Sequence, residues 1–237
     1  MLKGIAFDLG GVLLQWEGSL EKSLRAEFKK MNEVGYEISY EKFREINKKT
    51  SKEFDERQHK KKKGQEYGEF MKIFFKNFGE NASEKELKEI DKVFWDTLIE
   101  NQELMPFSNH IIDYCNDKGL KLGIITNGNK EITRKRLKKL GWEDKFSVVV
   151  NSEAINAQKS SLEPFKVFLE RIELQGEECL MVGDRLDEDT YAKRVGMKTV
   201  ILQRKENESL KKEFSPDYVI KDLKELKSIV DSHIALR

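Results

Sequence analysis

Six short apolar runs, rich in β-branched residues, are spread along the chain: Ile5–Phe7, Leu122–Thr126, Val148–Val150, Leu180–Val182, Thr199–Leu202 and Tyr218–Ile220. Between the later runs the apolar residues change period. Ile132, Leu137 and Leu140 fall on one helical face, and Gly141 then ends the helix; Phe165, Phe168, Leu169 and Ile172 form a second stripe. Short continuous apolar strands alternating with helices predict an α/β fold with a parallel sheet covered on both faces. Residues 16–103 have a different texture. They contain no strand-like run, only helical stripes: Leu20/Leu24/Phe28/Met31, Tyr67/Phe70/Met71/Phe74/Phe75/Phe78 and Leu87/Ile90/Phe94/Leu98. Ser83, with Glu86 three residues on, predicts the N-terminus of the last of these helices. An all-helical insert between the first strand and the rest of the sheet predicts two units: a core of residues 1–15 and 104–237, and a helical cap of residues 16–103.

Composition narrows the partners. Of 237 residues, 38 % are hydrophobic, enough for a real core, and 44 basic against 43 acidic side chains leave a net charge of +1. That balance argues against nucleic acid as a partner. No run approaches the roughly 18 apolar residues that span a bilayer, and Asp8 breaks the first apolar run too early for a signal peptide. A soluble, cytoplasmic protein is expected. Cys115 and Cys179 have no metal-ligand spacing and read as core residues. The basic run from His59 to Lys63 reads as a solvated face, or as a patch that steers anions toward a site.

The chemistry sits at strand ends. Asp8 follows the first apolar run and precedes Leu9-Gly10-Gly11, an exposed and rigid position suited to a nucleophile or a metal ligand. Leu180-Met181-Val182-Gly183-Asp184 also ends in an acid, with Asp187, Glu188 and Asp189 close behind. If the two strands are adjacent, their carboxylates face each other and need a hard cation between them; without His or Cys nearby, Mg²⁺ fits better than zinc. Thr126 and Asn127 lie where the second strand enters a polar Gly turn before a helix, a place for a phosphate. Lys159, in a later loop, is positioned to neutralise carboxylates and phosphate together.

The order Phe7-Asp8-Leu9-Gly10-Gly11-Val12-Leu13, then Ile125-Thr126-Asn127-Gly128, then Lys159, then Gly183-Asp184 with Asp189 five residues later resembles the haloacid dehalogenase-like hydrolases over nearly the whole chain. The resemblance implies a Rossmann-like core with a helical cap, a Mg²⁺ cofactor and a phosphatase acting on a small phosphorylated metabolite. By the same resemblance Asp8 is the nucleophile, Thr126, Asn127 and Lys159 hold the substrate with Lys159 also catalytic, and Asp8, Gly10, Asp184 and Asp189 form the metal site.

Two positions depart from the family pattern. Phosphatases of the family usually carry a second Asp two residues after the nucleophile as acid and base; here that residue is Gly10. Glycine supplies a backbone carbonyl to a metal but moves no proton, and acid–base assistance contributes about 10²–10⁴ in rate. Glu17 or an acid of the cap is a candidate substitute, and Gly10→Asp is expected to help where the backbone admits a side chain. Lys159 is followed by Ser160 where the family commonly has Pro. Three functions therefore stand side by side: a phosphatase slow on poor leaving groups, a weak member that binds a phosphorylated ligand or a protein, and a 2-haloacid dehalogenase, whose halide leaves without an acid or a metal. The sequence leaves substrate and oligomeric state open.

Overall fold

The computed structural model describes residues 1–61, 68–203 and 215–234. Side chains 59–67 lie outside the described residues, and with them the basic run 59–63 and Tyr67. Each of the six apolar runs forms a strand: β1 (Gly4–Phe7), β2 (Lys121–Thr126), β3 (Val148–Asn151), β4 (Cys179–Gly183), β5 (Lys198–Leu202) and β6 (Tyr218–Ile220). They build one sheet in the order β3-β2-β1-β4-β5-β6, every pair parallel. The chain proceeds from β1 outward to β3, returns to β4 beside β1, and proceeds outward the other way. Such a reversal opens a crevice at the C-terminal ends of the central strands.

Alternate residues of β1 point to opposite faces. Ile5 and Phe7 join a cluster with Ile111, Leu137 and Val230, whereas Ala6 joins one with Phe165, Phe168 and Met197. Helices α5 (Ser108–Asp117), α6 (Lys130–Lys139) and α10 (Leu226–His233) supply the first cluster, and α8 (Glu163–Ile172) the second. Short α7 (Ser152–Ile155) and α9 (Leu186–Asp189) follow β3 and β4. Gly141 takes a positive φ of 65° just past α6, as a helix stop requires.

Between β1 and β2 lie α1 (Glu17–Glu33), α2 (Tyr40–Lys61), α3 (Glu69–Phe78) and α4 (Glu84–Glu100). They pack around a cluster of their own, built from Leu24, Met31, Phe43, Met71, Phe74, Leu87 and Ile90. Ser83 and Glu86 close a reciprocal capping box on α4. Helix α2 shows no stripe in the sequence; its 22 residues are mostly charged, and Phe43 and Ile46 carry its buried contact. Leu20 lies on the α1 stripe yet is exposed, because it borders a cavity of about 280 Å³ rather than the packed cluster.

Candidate active site

Strand register brings the acids together. Phe7 pairs with Ile124 of β2 and with Val182 of β4, so one residue further along lie Asp8, Ile125 and Gly183, and one more brings Thr126 and Asp184 to the same rim. The Asp8 N–H donates to the Val182 carbonyl at 2.8 Å, prolonging the β1–β4 ladder by one bond, and its carboxylate Oδ1 accepts the Leu9 N–H at 2.8 Å. Oxygen atoms of Asp8, Asp184 and Asp189 lie within 4.8 Å of one another.

Lys159 reaches this cluster from the loop before α8. Its Nζ lies 2.9 Å from Asp8 Oδ2 and 2.7 Å from Asp189 Oδ1, and the side chain is 1 % exposed. Burial alone would lower the ammonium pKa; the charges of Asp189 and Asp8 outweigh it and hold the group protonated. Burial also pushes the Asp8 carboxyl up, against the pull of Lys159 and with the push of Asp189. One buried cation against three carboxylates leaves an excess of negative charge. All the donors are carboxylate oxygens, with no His or Cys in the cluster, so the residues fit a hard divalent cation such as Mg²⁺. The turn after Asp8 fits as well. Its backbone hydrogen bonds are accepted by Leu9, Leu13 and Leu14 and, among the described residues, none by the Gly10 carbonyl.

Asp189 is bound through both oxygens. Oδ1 is held by Lys159, and Oδ2 accepts the N–H groups of Asp184 (3.1 Å) and Arg185 (2.9 Å). The side chain is fully buried and braces the loop that presents Asp184. Gly183 makes room for it, since a Cβ there would lie 2.1 Å from the Asp189 carboxylate. Asn127 is a second brace: its Oδ1 accepts the Lys159 N–H at 3.0 Å and its Nδ2 donates to Glu188 at 2.8 Å. Thr126 Oγ1 accepts the Gly128 N–H at 3.2 Å. Asp8, Gly10, Thr126, Asn127, Lys159 and Asp184 all border one open cavity of about 590 Å³.

At position 10 the structure shows what the sequence left open. A Cβ on Gly10 would fall 2.5–2.7 Å from the Trp16 indole. An aspartate there would have to displace that ring, so the gain expected of Gly10→Asp depends on the indole moving as well as on the backbone. Glu17 borders a different cavity, with Gln15 and Lys221, and is not a substitute; among acids of the helical insert, Asp55 of α2 borders the site. Sequence reasoning named Glu188 without giving it a role and passed over Trp16 and Arg136. Glu188 is buried, and desolvation, against Lys159 and Arg185, pushes its carboxyl up to about 7. Arg136 carried a usable signal: it lies four residues after Ile132 and beside Leu137, a charge on the buried face of α6.

Comparison with known proteins bears on the family and the fold. A family model described as haloacid dehalogenase-like hydrolase matches residues 2–196. The chain is 32 % identical to a glyceraldehyde 3-phosphate phosphatase of Methanocaldococcus jannaschii, with 97 % of each chain covered, and 24 % identical to a ribulose-1,5-bisphosphate 5-phosphatase of Halopiger xanaduensis, with 87 % of each covered. A solved phosphatase of the same family from Thermococcus onnurineus superposes with a TM-score of 0.70 at 29 % identity, covering 97 % of this chain and 98 % of that one. A parallel sheet with paired acids at its switch point, matched along most of its length by one family, means that the chain belongs to the haloacid dehalogenase-like hydrolases.

Proposed function

We propose that the protein is a Mg²⁺-dependent phosphatase that hydrolyses a small phosphorylated metabolite through a phosphoryl group carried on Asp8. The observation that supports it most directly is the Asp8 carboxylate, 2.9 Å from a buried lysine and within a cluster of acids at the mouth of the cavity. An Asp8 oxygen attacks phosphorus while Lys159 and Thr126 hold the phosphoryl oxygens; the P–O bond to the substrate alcohol breaks and its oxygen takes a proton from solvent, and water then attacks the phosphorus on Asp8, releasing phosphate and restoring the carboxylate. Asp8, Asp184 and the Gly10 carbonyl would hold Mg²⁺, which supplies the positive charge that lets carboxylates and phosphate approach. Asp189 and Asn127 keep Lys159 and the Asp184 loop in place. The helical insert acts as the lid over the cavity. Because the indole of Trp16 fills the space at Gly10, alkyl phosphates, whose leaving oxygen wants a proton, turn over slowly.

The first substrate to test is glyceraldehyde 3-phosphate, for which the relative from Methanocaldococcus jannaschii is named. Phosphate release should require Mg²⁺ and stop with EDTA, whereas a dehalogenase would stay active with the chelator present. Asp8→Asn should lower turnover by about 10⁴ or more, the scale seen when a nucleophile is removed. Undiminished turnover in that variant would overturn the covalent route.

A further inference from the structure

Two cationic side chains are buried among the described residues, Lys159 and Arg136. Lys159 is paired with Asp8 and Asp189. Arg136 is 5 % exposed and takes part in none of the ion pairs among the described residues. Its Nε donates to Gln102 Oε1, and its guanidinium lies 5.0 Å from the centroid of the Trp16 ring. Nη2 is buried with no acceptor, and so is the amide Nε2 of Gln102. Turning the Gln102 amide would set donor against donor, so its oxygen must face Arg136 and its N–H₂ stays unsatisfied. A buried arginine and a half-buried glutamine, bonded to each other, thus each hold a buried donor that is unused, where buried polar groups are normally paired.

This pair belongs to the site. Arg136 borders the same cavity as Asp8 and Lys159, and Trp16 stands between it and Gly10. Burial pushes the guanidinium down to about 10, with Asp8 resisting, which leaves it charged at neutral pH. Asp8 is already paired with Lys159 and cannot neutralise both cations. A buried, charged, planar fork with no carboxylate is a receptor for an oxyanion. Lys159 and Thr126 serve the phosphoryl group in the same cavity, so Arg136 is left for a different oxyanion.

We propose that Arg136, supported by Gln102 and Trp16, binds a second anionic group of the substrate, and that the preferred metabolites carry a carboxylate or a second phosphate besides the phosphoryl group that is cleaved. The proposal rests on Asp8 being the site of phosphoryl transfer.

The test uses the full chain and matched substrates. 3-Phosphoglycerate against glycerol 3-phosphate asks about a carboxylate, and ribulose 1,5-bisphosphate against ribose 5-phosphate asks about a second phosphate. The native protein should favour the doubly anionic member of at least one pair by about tenfold or more in kcat/KM, carried mainly by KM. Arg136→Met should bring that ratio to within about twofold, and Arg136→Lys, which keeps the charge but not the fork, should fall between. A native protein with no preference in either pair, or a preference that survives Arg136→Met, overturns the proposal. Should Arg136→Met fail to fold, judged by circular dichroism, Arg136→Lys decides by the same ratio. Titration calorimetry separates this claim from the phosphatase itself. Tighter binding of 3-phosphoglycerate than of glycerol 3-phosphate, lost on substitution, in a protein that hydrolyses neither would keep the receptor and discard the phosphatase. Hydrolysis of all four compounds without discrimination would do the reverse.

Discussion

Single residues divide into those that meet a substrate and those that aim them. Asp189 and Gly183 are of the second kind: one carboxylate holds a lysine and two backbone N–H groups, and one missing side chain leaves it the room. Gly183→Ala carries no chemical group away, yet a methyl 2.1 Å from the Asp189 carboxylate must push it off its partners. Phosphatase activity should fall by about 10² or more in a protein that still folds, since small misplacements of catalytic groups cost on that scale. Steady-state kinetics and circular dichroism on the same sample check it. Glu27 shows a different residue-scale effect. Burial first, and the Asp91 charge second, hold its carboxyl well above the ordinary value of 4.5. Between that value and the raised one, the folded protein keeps a proton the unfolded chain has released, so stability falls as pH rises through the window. Below it both states are protonated and the penalty disappears. Glu27→Gln should therefore raise the melting temperature at pH 8 and raise it less at pH 4, as read by calorimetry.

At the scale of elements, the site depends on where strands stop. β1, β2 and β4 run in register, so acids and a threonine that lie far apart in the chain reach one rim within a residue of each other. The helical insert is tied to that rim by a buried amide pair: Gln158 Nε2, next to Lys159, donates to Gln58 Oε1 of α2 at 2.7 Å. Gln58 Nε2 in turn donates to Glu69 at 3.0 Å. Gln58→Ala would take away the acceptor of the buried Gln158 amide, a loss of about 1–3 kcal/mol. Urea unfolding should show it as a lower midpoint with an unchanged slope. The same substitution should raise KM through the loosened neighbour of Lys159. At the start of α4, by contrast, Ser83→Ala breaks only an exposed capping box, with a loss of about 1 kcal/mol and no effect on KM.

The described residues form three apolar clusters, two on the faces of the sheet and one within the helical insert. No described helix is long and apolar enough to cross a membrane. The excess of carboxylates over cations at the rim sets a property of the whole fold, because a ligand that binds only the native state stabilises all of it. Mg²⁺ at a hundred times its dissociation constant should add about 2.7 kcal/mol. For a chain of this size that corresponds to a rise of roughly 5–10 °C in melting temperature. EDTA should reverse the rise, and Asp184→Asn should abolish it; a shift that persists in that variant would place the ion elsewhere.

Much of this was legible from the residues alone. Strands announce themselves when buried on both faces, because every position must then be apolar, and all six runs became strands. Turn and cap chemistry is local, so Ser83 and Gly141 behaved as expected. The acids of the site were visible because a carboxylate directly after an apolar run breaks a pattern. Helix α2 was missed for the opposite reason: among its described residues only two buried side chains, Phe43 and Ile46, are apolar, and helical period needs more than two to be seen. What no linear pattern contains is what stands in the space beside a glycine, or whether a buried donor has an acceptor. Trp16 fills the space beside Gly10, and Nη2 of Arg136 lacks an acceptor, only because distant segments meet there. Local chemistry is written in neighbouring residues, whereas occupancy of space and pairing of charge depend on residues that only folding brings into contact.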